Sequence, residues 1–524
     1  MRLSELIDDY KGTQDPDILG LTADSRQVRP GSLFAALPGL AFNGADFIGD
    51  AVDNGAVAVL AGAESATATT ISALDDRKVD LIRAENPRLC FAQMASRFYP
   101  QQPPVIAAVT GTNGKTSVVS FTRQIWQVLG IEAASLGTVG LMMGDVGDNP
   151  DSENLGSTHT TPDPVALHQT LAGLAAQNIE CLALEASSHG LDQYRLDGVR
   201  VGIAAFTNLS RDHLDYHGSE RAYLLAKIRL FRDILAERGV AVLNADAEFY
   251  PEIMGLCRRR NIRVISVGGT PSDNFGASQR SGPQMDIRLI GREMCARGQR
   301  IIVTCENIVY NIVLPLVGDF QAMNALMAAA IVIASGQKPG VVFKELENLV
   351  GVAGRMQFAA RHPSGAQVFV DYAHTPDALT NALKALRSHA SGRLFLVFGC
   401  GGDRDAGKRP QMGRVADELA DRIIITDDNP RSEVPSEIRR HILSSCPRGV
   451  AIGDRGDAIR SAVGELEEGD LLLIAGKGHE TGQIIGSQTL PFDDVAVARQ
   501  AVAACEQERQ SSGEVGNGSG TSNG

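Results

Sequence analysis

Val109-Thr-Gly-Thr-Asn-Gly-Lys-Thr-Ser117 decides how this chain reads. The apolar run Val105-Ile-Ala-Ala-Val109 ahead of it has the pattern of a buried parallel strand, and Lys115 to Leu129 behind it has that of a helix. A glycine-rich turn between such a strand and helix exposes several backbone N–H groups at a helix N-terminus, which makes a phosphate cradle. Lys115 adds a positive charge suited to β- and γ-phosphates, and Thr116 offers a hydroxyl to Mg²⁺. The pattern G-x-x-x-x-G-K-[ST] asks for glycine where this chain has Val109, while Gly111 to Thr116 is intact. Gly-Lys-Thr also arises by chance in loops, but the flanking strand and helix argue against chance here.

At 524 residues and about 150 per domain, three or four domains are expected. A composition 44% hydrophobic and 21% charged is that of a soluble globular chain with large cores. No apolar run reaches about 20 residues, so no membrane span is expected. Met1 to Asp9 lacks the apolar core of a signal segment. A net charge of −13 disfavours general binding to nucleic acid or anionic membranes, so a phosphorylated substrate must be met by local donors. Eight scattered cysteines without a C-x-x-C pair indicate neither zinc nor a disulfide framework; a reducing cytoplasm fits, and a monomer is expected.

Three α/β units follow one another. Residues 1–100 form a smaller N-terminal unit, with a turn and strand in Pro30 to Gly39 and a strand at Ala56 to Ala61; Gln101-Gln-Pro-Pro104 reads as a hinge. Residues 101–336 carry the phosphate loop. There the apolar runs Cys181–Glu185, Val201–Thr207 and Val240–Asn244 alternate with helical stretches, as in a doubly wound parallel sheet. Residues near 268–300 read as loops or an antiparallel extension, and Phe320 to Ser335 as a helix packed back on the sheet. In 337–508, Val368–Val370, Leu394–Phe398, Ile423–Ile425 and Leu471–Ile474 predict a second, Rossmann-like sheet. The Gly/Ser/Asn-rich end, 509–524, reads as a disordered tail.

Chemistry concentrates where strands end. Glu185 closes a strand of the phosphate-loop unit, where a carboxylate can hold Mg²⁺ opposite the phosphates; the alternative is a helix cap or loop acid. Ser187 to Arg195 is a dense polar loop beside it, and Asn208 to His213 follows the next strand. His213 can ligate a second metal or simply be a solvated turn histidine. Lys227 has Tyr223, Leu224, Leu230 and Phe231 as helical neighbours. A lysine so placed is desolvated, which favours the neutral amine that reacts with CO₂ to a carbamate; snorkelling is the bland alternative. In the third unit Asp371–Asp377, Gly399–Asp405, Asp428–Arg431 and Gly476–Glu480 leave four successive strands, a pattern of a second ligand site. Arg404 and Arg431 suit a carboxylate, and Glu480 an ammonium.

Thr110–Thr116, Glu185-Ala-Ser-Ser-His-Gly190, Thr207-Asn-Leu, Asp212-His213, Asn324 in Gly-Asp-Phe-Gln-Ala-Met-Asn, and Asp371-Tyr-Ala-His374 together resemble the Mur ligases, over about residues 20 to 500. The resemblance implies an ATP-dependent, amide-forming enzyme of peptidoglycan precursor synthesis with three α/β domains. Asp428-Asn-Pro-Arg431 is the form carried by members that add meso-diaminopimelate, whose second carboxylate gives the arginine a partner; lysine-adding relatives lack it. By the same resemblance Gly111, Thr112, Asn113, Gly114, Lys115, Thr116 and Ser117 would bind the ATP phosphates. Asn324, Arg355, Asp371 and His374 would contact the nucleotide. Thr116 and Glu185 would serve one Mg²⁺, and His213 with carbamylated Lys227 another. Ser25, Leu40, Ala41 and Phe42 would hold the UDP end of a UDP-muramoyl dipeptide, and His159, Thr160, Thr161, Ser187, Gln193 and Arg195 its muramoyl-peptide part. Arg404, Asp428, Asn429, Pro430, Arg431, Gly476 and Glu480 would hold diaminopimelate. Leu40 to Phe42 are less polar than in some relatives, and His159 stands at a variable position.

A lysine-adding member and a folylpolyglutamate synthase-like ligase are the alternatives within this class; the Asp24-Ser-Arg26 and Asp428–Arg431 segments weigh against the second. A P-loop switch ATPase needs no second sheet-edge site, and an inactive scaffold does not need Lys115, Glu185 and Lys227. The ligase reading requires the phosphate loop to face the amino-acid pocket across one cleft.

Overall fold

Apolar runs in the first unit form β1 (Gly20–Thr22), β2 (Ser32–Ala36), β3 (Ala56–Gly62) and β4 (Asp80–Ala84), paired in parallel in chain order. The helix Pro87–Phe98 covers one face and sets Phe91, Met94 and Ala95 among Leu33, Ala35 and Leu60. This computed structural model describes all residues except 9, 12–13, 40–41, 65–73, 75, 145–159, 270–284, 296–297 and 516–524.

The second sheet contains β5 (Val105–Thr110), β6 (Ala133–Gly137), β7 (Gly140–Met142), β8 (Cys181–Glu185), β9 (Ile203–Phe206), β10 (Val240–Asn244), β11 (Arg263–Gly268), β12 (Ile287–Cys295), β13 (Gly298–Cys305) and β14 (Ile308–Leu314). Their order is β14-β13-β12-β11-β10-β9-β5-β8-β6-β7. The inner strands are parallel, β7 is antiparallel, and β12 to β14 form an antiparallel extension. That extension was one of two readings of the stretch near 268–300; residues 270–284 lie outside the description. β5 is apolar on both faces because both are covered. Ala107 and Val109 pack with the helices Lys115–Val128 and Asp319–Ala334, while Ile106 and Ala108 pack with Pro164–Ala176 and Glu220–Arg229. The helix Glu220–Arg229, which carries Lys227, continues as a π-turn, Leu230–Ile234.

The third sheet holds β15 (Gln357–Arg361), β16 (Gln367–Asp371), β17 (Leu394–Phe398), β18 (Arg422–Ile425), β19 (Val450–Ala451) and β20 (Leu471–Ala475), in the order β15-β16-β20-β17-β18-β19 with only β15 antiparallel. A hairpin, β21 (Gly482–Ile485) and β22 (Gln488–Pro491), follows. β15, β19 and the hairpin are too short or too polar to stand out as apolar runs. The final helix, Asp494–Val515, passes the start of the expected tail, because Ala503, Ala504, Glu506 and Gln507 are good helix formers; residues 516–524 lie outside the description.

Candidate active site

The turn after β5 is folded by its glycines and by the neighbouring loop. A Cβ on Gly111, at φ +149°, would stand 1.9 Å from Thr207 Oγ1, so only glycine lets the two loops touch. Thr207 Oγ1 donates to the Asn113 carbonyl (2.6 Å), and Asn113 N donates to Asn208 Oδ1 (2.9 Å). The loop leaving β9 thus braces the cradle, and Gly114 in the left-handed region opens the helix that carries Thr116 and Ser117. Lys115 Nζ curls back to the carbonyls of Gly111 (3.0 Å) and Thr112 (2.9 Å). Burial pushes its ammonium down from the usual lysine value, against the pull of Glu185 and Asp212.

Glu185 ends β8, beside β5, and is 2% exposed. Thr138 donates to it twice, from N to Oε1 (2.8 Å) and from Oγ1 to Oε2 (3.0 Å). His213 follows β9 and packs its ring edge-on against His189, centroids 4.7 Å apart. Burial, with Lys115, Lys227 and His374 and against Asp212, pushes the His213 imidazole down to about 4, so near pH 7 it is neutral and able to ligate. Lys227 is 1% exposed; its Nζ donates to the Gly111 carbonyl (2.8 Å) and lies 4.3 Å from the Tyr223 ring centroid. Burial and the charge of Lys115, against Asp212, drive its pKa well below the ordinary lysine value, which favours the free amine.

The third unit closes this edge. Asp371 ends β16 and accepts from Met356 N (2.6 Å) and Ala373 N (2.8 Å); burial raises its pKa against the nearby Arg355. Arg355 lies over the Tyr372 ring and donates from Nη2 to Thr116 Oγ1 (3.1 Å). Asn113 Nδ2 donates to Asp377 Oδ2 (2.9 Å), and Arg211 and Asp405 approach to 3.8 Å. One cleft is therefore lined by Thr112 to Ser117, Glu185, His213 and Lys227 on one side and by Arg355, Asp371 and His374 on the other, with Asn324 also in its lining. The phosphate cradle and the third unit face each other.

The remaining expected residues fall into three groups. Thr161 Oγ1 donates to the Glu185 carbonyl (2.9 Å) and meets Ser187 Oγ (3.0 Å); Arg195 donates to the Thr161 carbonyl (2.7 Å) and to Gln193 Oε1 (2.7 Å). Thr160 Oγ1 lies 3.3 Å from Thr138 Oγ1, to which it donates because the Thr138 proton is given to Glu185, so this group is joined to the Glu185 corner. In the first unit Ser25 lines a small recess with Arg26, Asp50, Asp53 and Asn54, and Phe42 is 73% exposed, its ring 6.4 Å from that of Phe47. Leu40, Ala41 and His159 lie outside the described residues. In the third unit Asn429 Nδ2 donates to Glu480 Oε2 (2.8 Å), and Arg431 Nη1 donates to the Gly402 carbonyl (2.9 Å). Arg404 is exposed and bonds the carbonyl of Asp403 (3.1 Å). Gly476 lies against Asp428, whose Oδ2 would be 2.5 Å from a Cβ there, and Pro430 is buried.

Sequence reasoning passed over Thr138, Asp212 and Asn208 as separate actors. Thr138 follows β6, 47 positions before its partner Glu185, and no local pattern announces it. Asp212 stands inside the Asp-His motif, where its neighbour draws the attention. Its carboxyl is pushed up by burial, but His213, His374 and Lys408 outweigh this and hold it below the usual range, which makes it a negative centre of the cleft.

Family models match almost the whole length: the Mur ligase family catalytic domain at residues 17–99, the Mur ligase middle domain at 109–332 and the Mur ligase glutamate ligase domain at 354–478. A UDP-N-acetylmuramoyl-L-alanyl-D-glutamate–2,6-diaminopimelate ligase of Bradyrhizobium diazoefficiens is 49% identical over 93% of this chain and 95% of its own. One so named from Caulobacter vibrioides is 47% identical over 96% and 98%. A solved structure bearing that enzyme name aligns with a TM-score of 0.66 at 32% identity, covering 97% of this chain and 99% of its own. A folylpolyglutamate synthase of Mycobacterium tuberculosis solved with ADP shares the fold, with a TM-score of 0.61 at 18% identity over 83% and 97%. With three successive domain models, relatives of nearly half identity along its length and a matching fold, the chain belongs to the Mur ligase family.

Proposed function

We propose that this ligase joins meso-2,6-diaminopimelate to UDP-N-acetylmuramoyl-L-alanyl-D-glutamate at the expense of ATP, in the cytoplasm. The observation that supports the proposal is the shared cleft: Asn113 of the cradle donates to Asp377 of the third unit, and the two units line one cleft together. The relatives' names supply the substrates, and Arg431 in Asp428-Asn-Pro-Arg431 supplies the cation that a second substrate carboxylate needs. Residues 1–100 are assigned to the UDP end, 101–336 to ATP and 337–508 to the amino acid.

The site suits Mg²⁺. Among the described residues no three acidic, histidine or cysteine side chains form a cage. Mg²⁺ is commonly held by one or two carboxylates completed by substrate phosphates, and Glu185 with the Thr116 hydroxyl provides such a half-site. His213 and Lys227, as its carbamate, are assigned to a second ion. Bound there, the ions would offset the crowding of phosphate charge. The buried amine of Lys227 supports the modification: it can add to CO₂, releasing a proton and leaving an anionic oxygen ligand. Isotopically labelled bicarbonate should give a carbamate carbon resonance that disappears in Lys227→Met.

In the reaction, a carboxylate oxygen of the D-glutamyl γ-carboxyl attacks the γ-phosphorus of ATP and ADP leaves, forming an acyl phosphate. Lys115, once its amine swings from the loop carbonyls to the phosphates, stabilises the charge transferred. The amine of diaminopimelate adds to the acyl carbon, and the tetrahedral intermediate expels phosphate as the amide forms and a proton is lost. Closure of the third unit keeps water from the acyl phosphate. The test is phosphate release with ATP, Mg²⁺, the UDP-muramoyl dipeptide and one amino acid. Release with diaminopimelate supports the proposal; release with lysine alone, or without any amino acid, overturns it.

A further inference from the structure

We infer that the buried ammonium of Lys477, which touches no substrate, is the positioning group that sets the amino-acid pocket by fixing Asn429 and Glu480. The inference rests on the proposed amino-acid site and adds to it a residue with no assigned role.

Lys477 lies directly after β20, between Gly476 and Glu480, and is 0% exposed. A lysine at such a place cannot snorkel, so its charge must be answered within the fold. Its Nζ donates to Asn429 Oδ1 (3.0 Å) and to Glu480 Oε2 (3.1 Å). Asn429 Oδ1 accepts a second bond from Ile484 N (2.9 Å). With two donors aimed at it, that atom has to be the amide oxygen; a flipped amide would set NH₂ against NH₃⁺ and N–H. The orientation of Asn429 is thereby determined, and its NH₂ group is directed to Glu480 Oε2 (2.8 Å).

Both bonds to the Glu480 carboxylate fall on one oxygen. The side chain is 32% exposed, and Oε1 takes no bond among the described residues, so it is left for a substrate ammonium. The same hairpin strand that supplies Ile484 N receives Arg431 N at the Ile484 carbonyl (3.1 Å), and Gln483 Nε2 donates to the Asp428 carbonyl (2.8 Å). Lys477 therefore joins the acid suited to the substrate's ammonium to the loop carrying the arginine suited to its distal carboxylate. A group that only filled space would not need to direct both.

The test measures Michaelis constants for all three substrates in Lys477→Met, Glu480→Gln and the double variant. We expect Lys477→Met to raise KM for diaminopimelate at least ten-fold, leave KM for ATP and the UDP-substrate within two-fold, and narrow the preference for diaminopimelate over lysine. Lys477→Met should raise KM for diaminopimelate by a smaller factor in the Glu480→Gln background than alone, because part of its action passes through that carboxylate and part through Asn429. Additive effects, or a fall in kcat with all KM values unchanged, would overturn the inference. If Lys477→Met does not fold, Lys477→Gln, which is polar but shorter and uncharged, is measured instead; an unchanged KM for diaminopimelate there overturns it equally. Failure of the wild-type enzyme to use diaminopimelate would instead refute the proposed reaction.

Discussion

At the scale of residues, charge is placed where water is scarce, and this makes the site sensitive to acid. His189 and His479 are each pushed by burial from the usual 6.5 to about 4. Between those two values the unfolded chain binds protons that the folded chain refuses, so stability is full above 6.5 and falls as pH drops toward 4. Thermal melts should show a steady loss across that window; a flat midpoint would contradict the burial of these rings. Arg431→Ala should weaken use of diaminopimelate by about 1.5–3 kcal/mol, the range for a lost charged hydrogen bond, while leaving KM for ATP unchanged. Equal loss for both substrates would show that Arg431 serves the loop and not the ligand. Gly476→Ala should weaken the same pocket, because the residue sits at φ +115° with its new methyl 2.5 Å from Asp428 Oδ2. Lys115, Glu185 and Lys227 were legible because glycine spacing, strand ends and apolar helical neighbours mark them locally. Thr138 and Lys477 were not. Thr138 acts on a residue 47 positions away, and Lys477 is indistinguishable from an ordinary polar loop residue until its burial is known.

At the scale of elements, the helix Lys115–Val128 is clamped between the sheet and the helix Asp319–Ala334, and its Trp126 is fully buried with Nε1 donating to Ser335 Oγ (3.0 Å). Trp126→Ala should cost about 3–5 kcal/mol of stability by denaturant unfolding, the range for truncating a large core aromatic. A loss below about 1 kcal/mol would mean that this contact does not hold the phosphate loop's helix in place. The inner strands were legible because parallel strands covered on both faces read as unbroken apolar runs. β15, β19 and the β21–β22 hairpin were not, since edge and ribbon strands carry polar residues on an open face. The hairpin matters out of proportion to its size: it holds the Asp428–Arg431 loop through Gln483 and Ile484.

At the scale of the whole molecule, the second and third sheets present the carboxyl ends of their strands to one another, which the order of the motifs implied but their spacing could not fix. Val317 and Phe320 pack on the apolar core of the third unit, and the polar contacts across the cleft, Asn113–Asp377, Arg211–Asp405 and Arg355–Thr116, are partly exposed. Such contacts are weak singly, and the interface should open readily. Asp377→Ala combined with Asp405→Ala should enlarge the radius of gyration in scattering, with ATP analogue and UDP-substrate together restoring the closed value; an identical profile in both proteins would show that these contacts do not govern closure. The central claim, that carboxyl, phosphate and amine meet in this one cleft, is tested most directly by labelling the D-glutamyl γ-carboxylate with heavy oxygen. If an acyl phosphate forms and diaminopimelate displaces it, one heavy oxygen atom appears in the released phosphate for each amide made. Unlabelled phosphate accompanying amide formation would contradict the account.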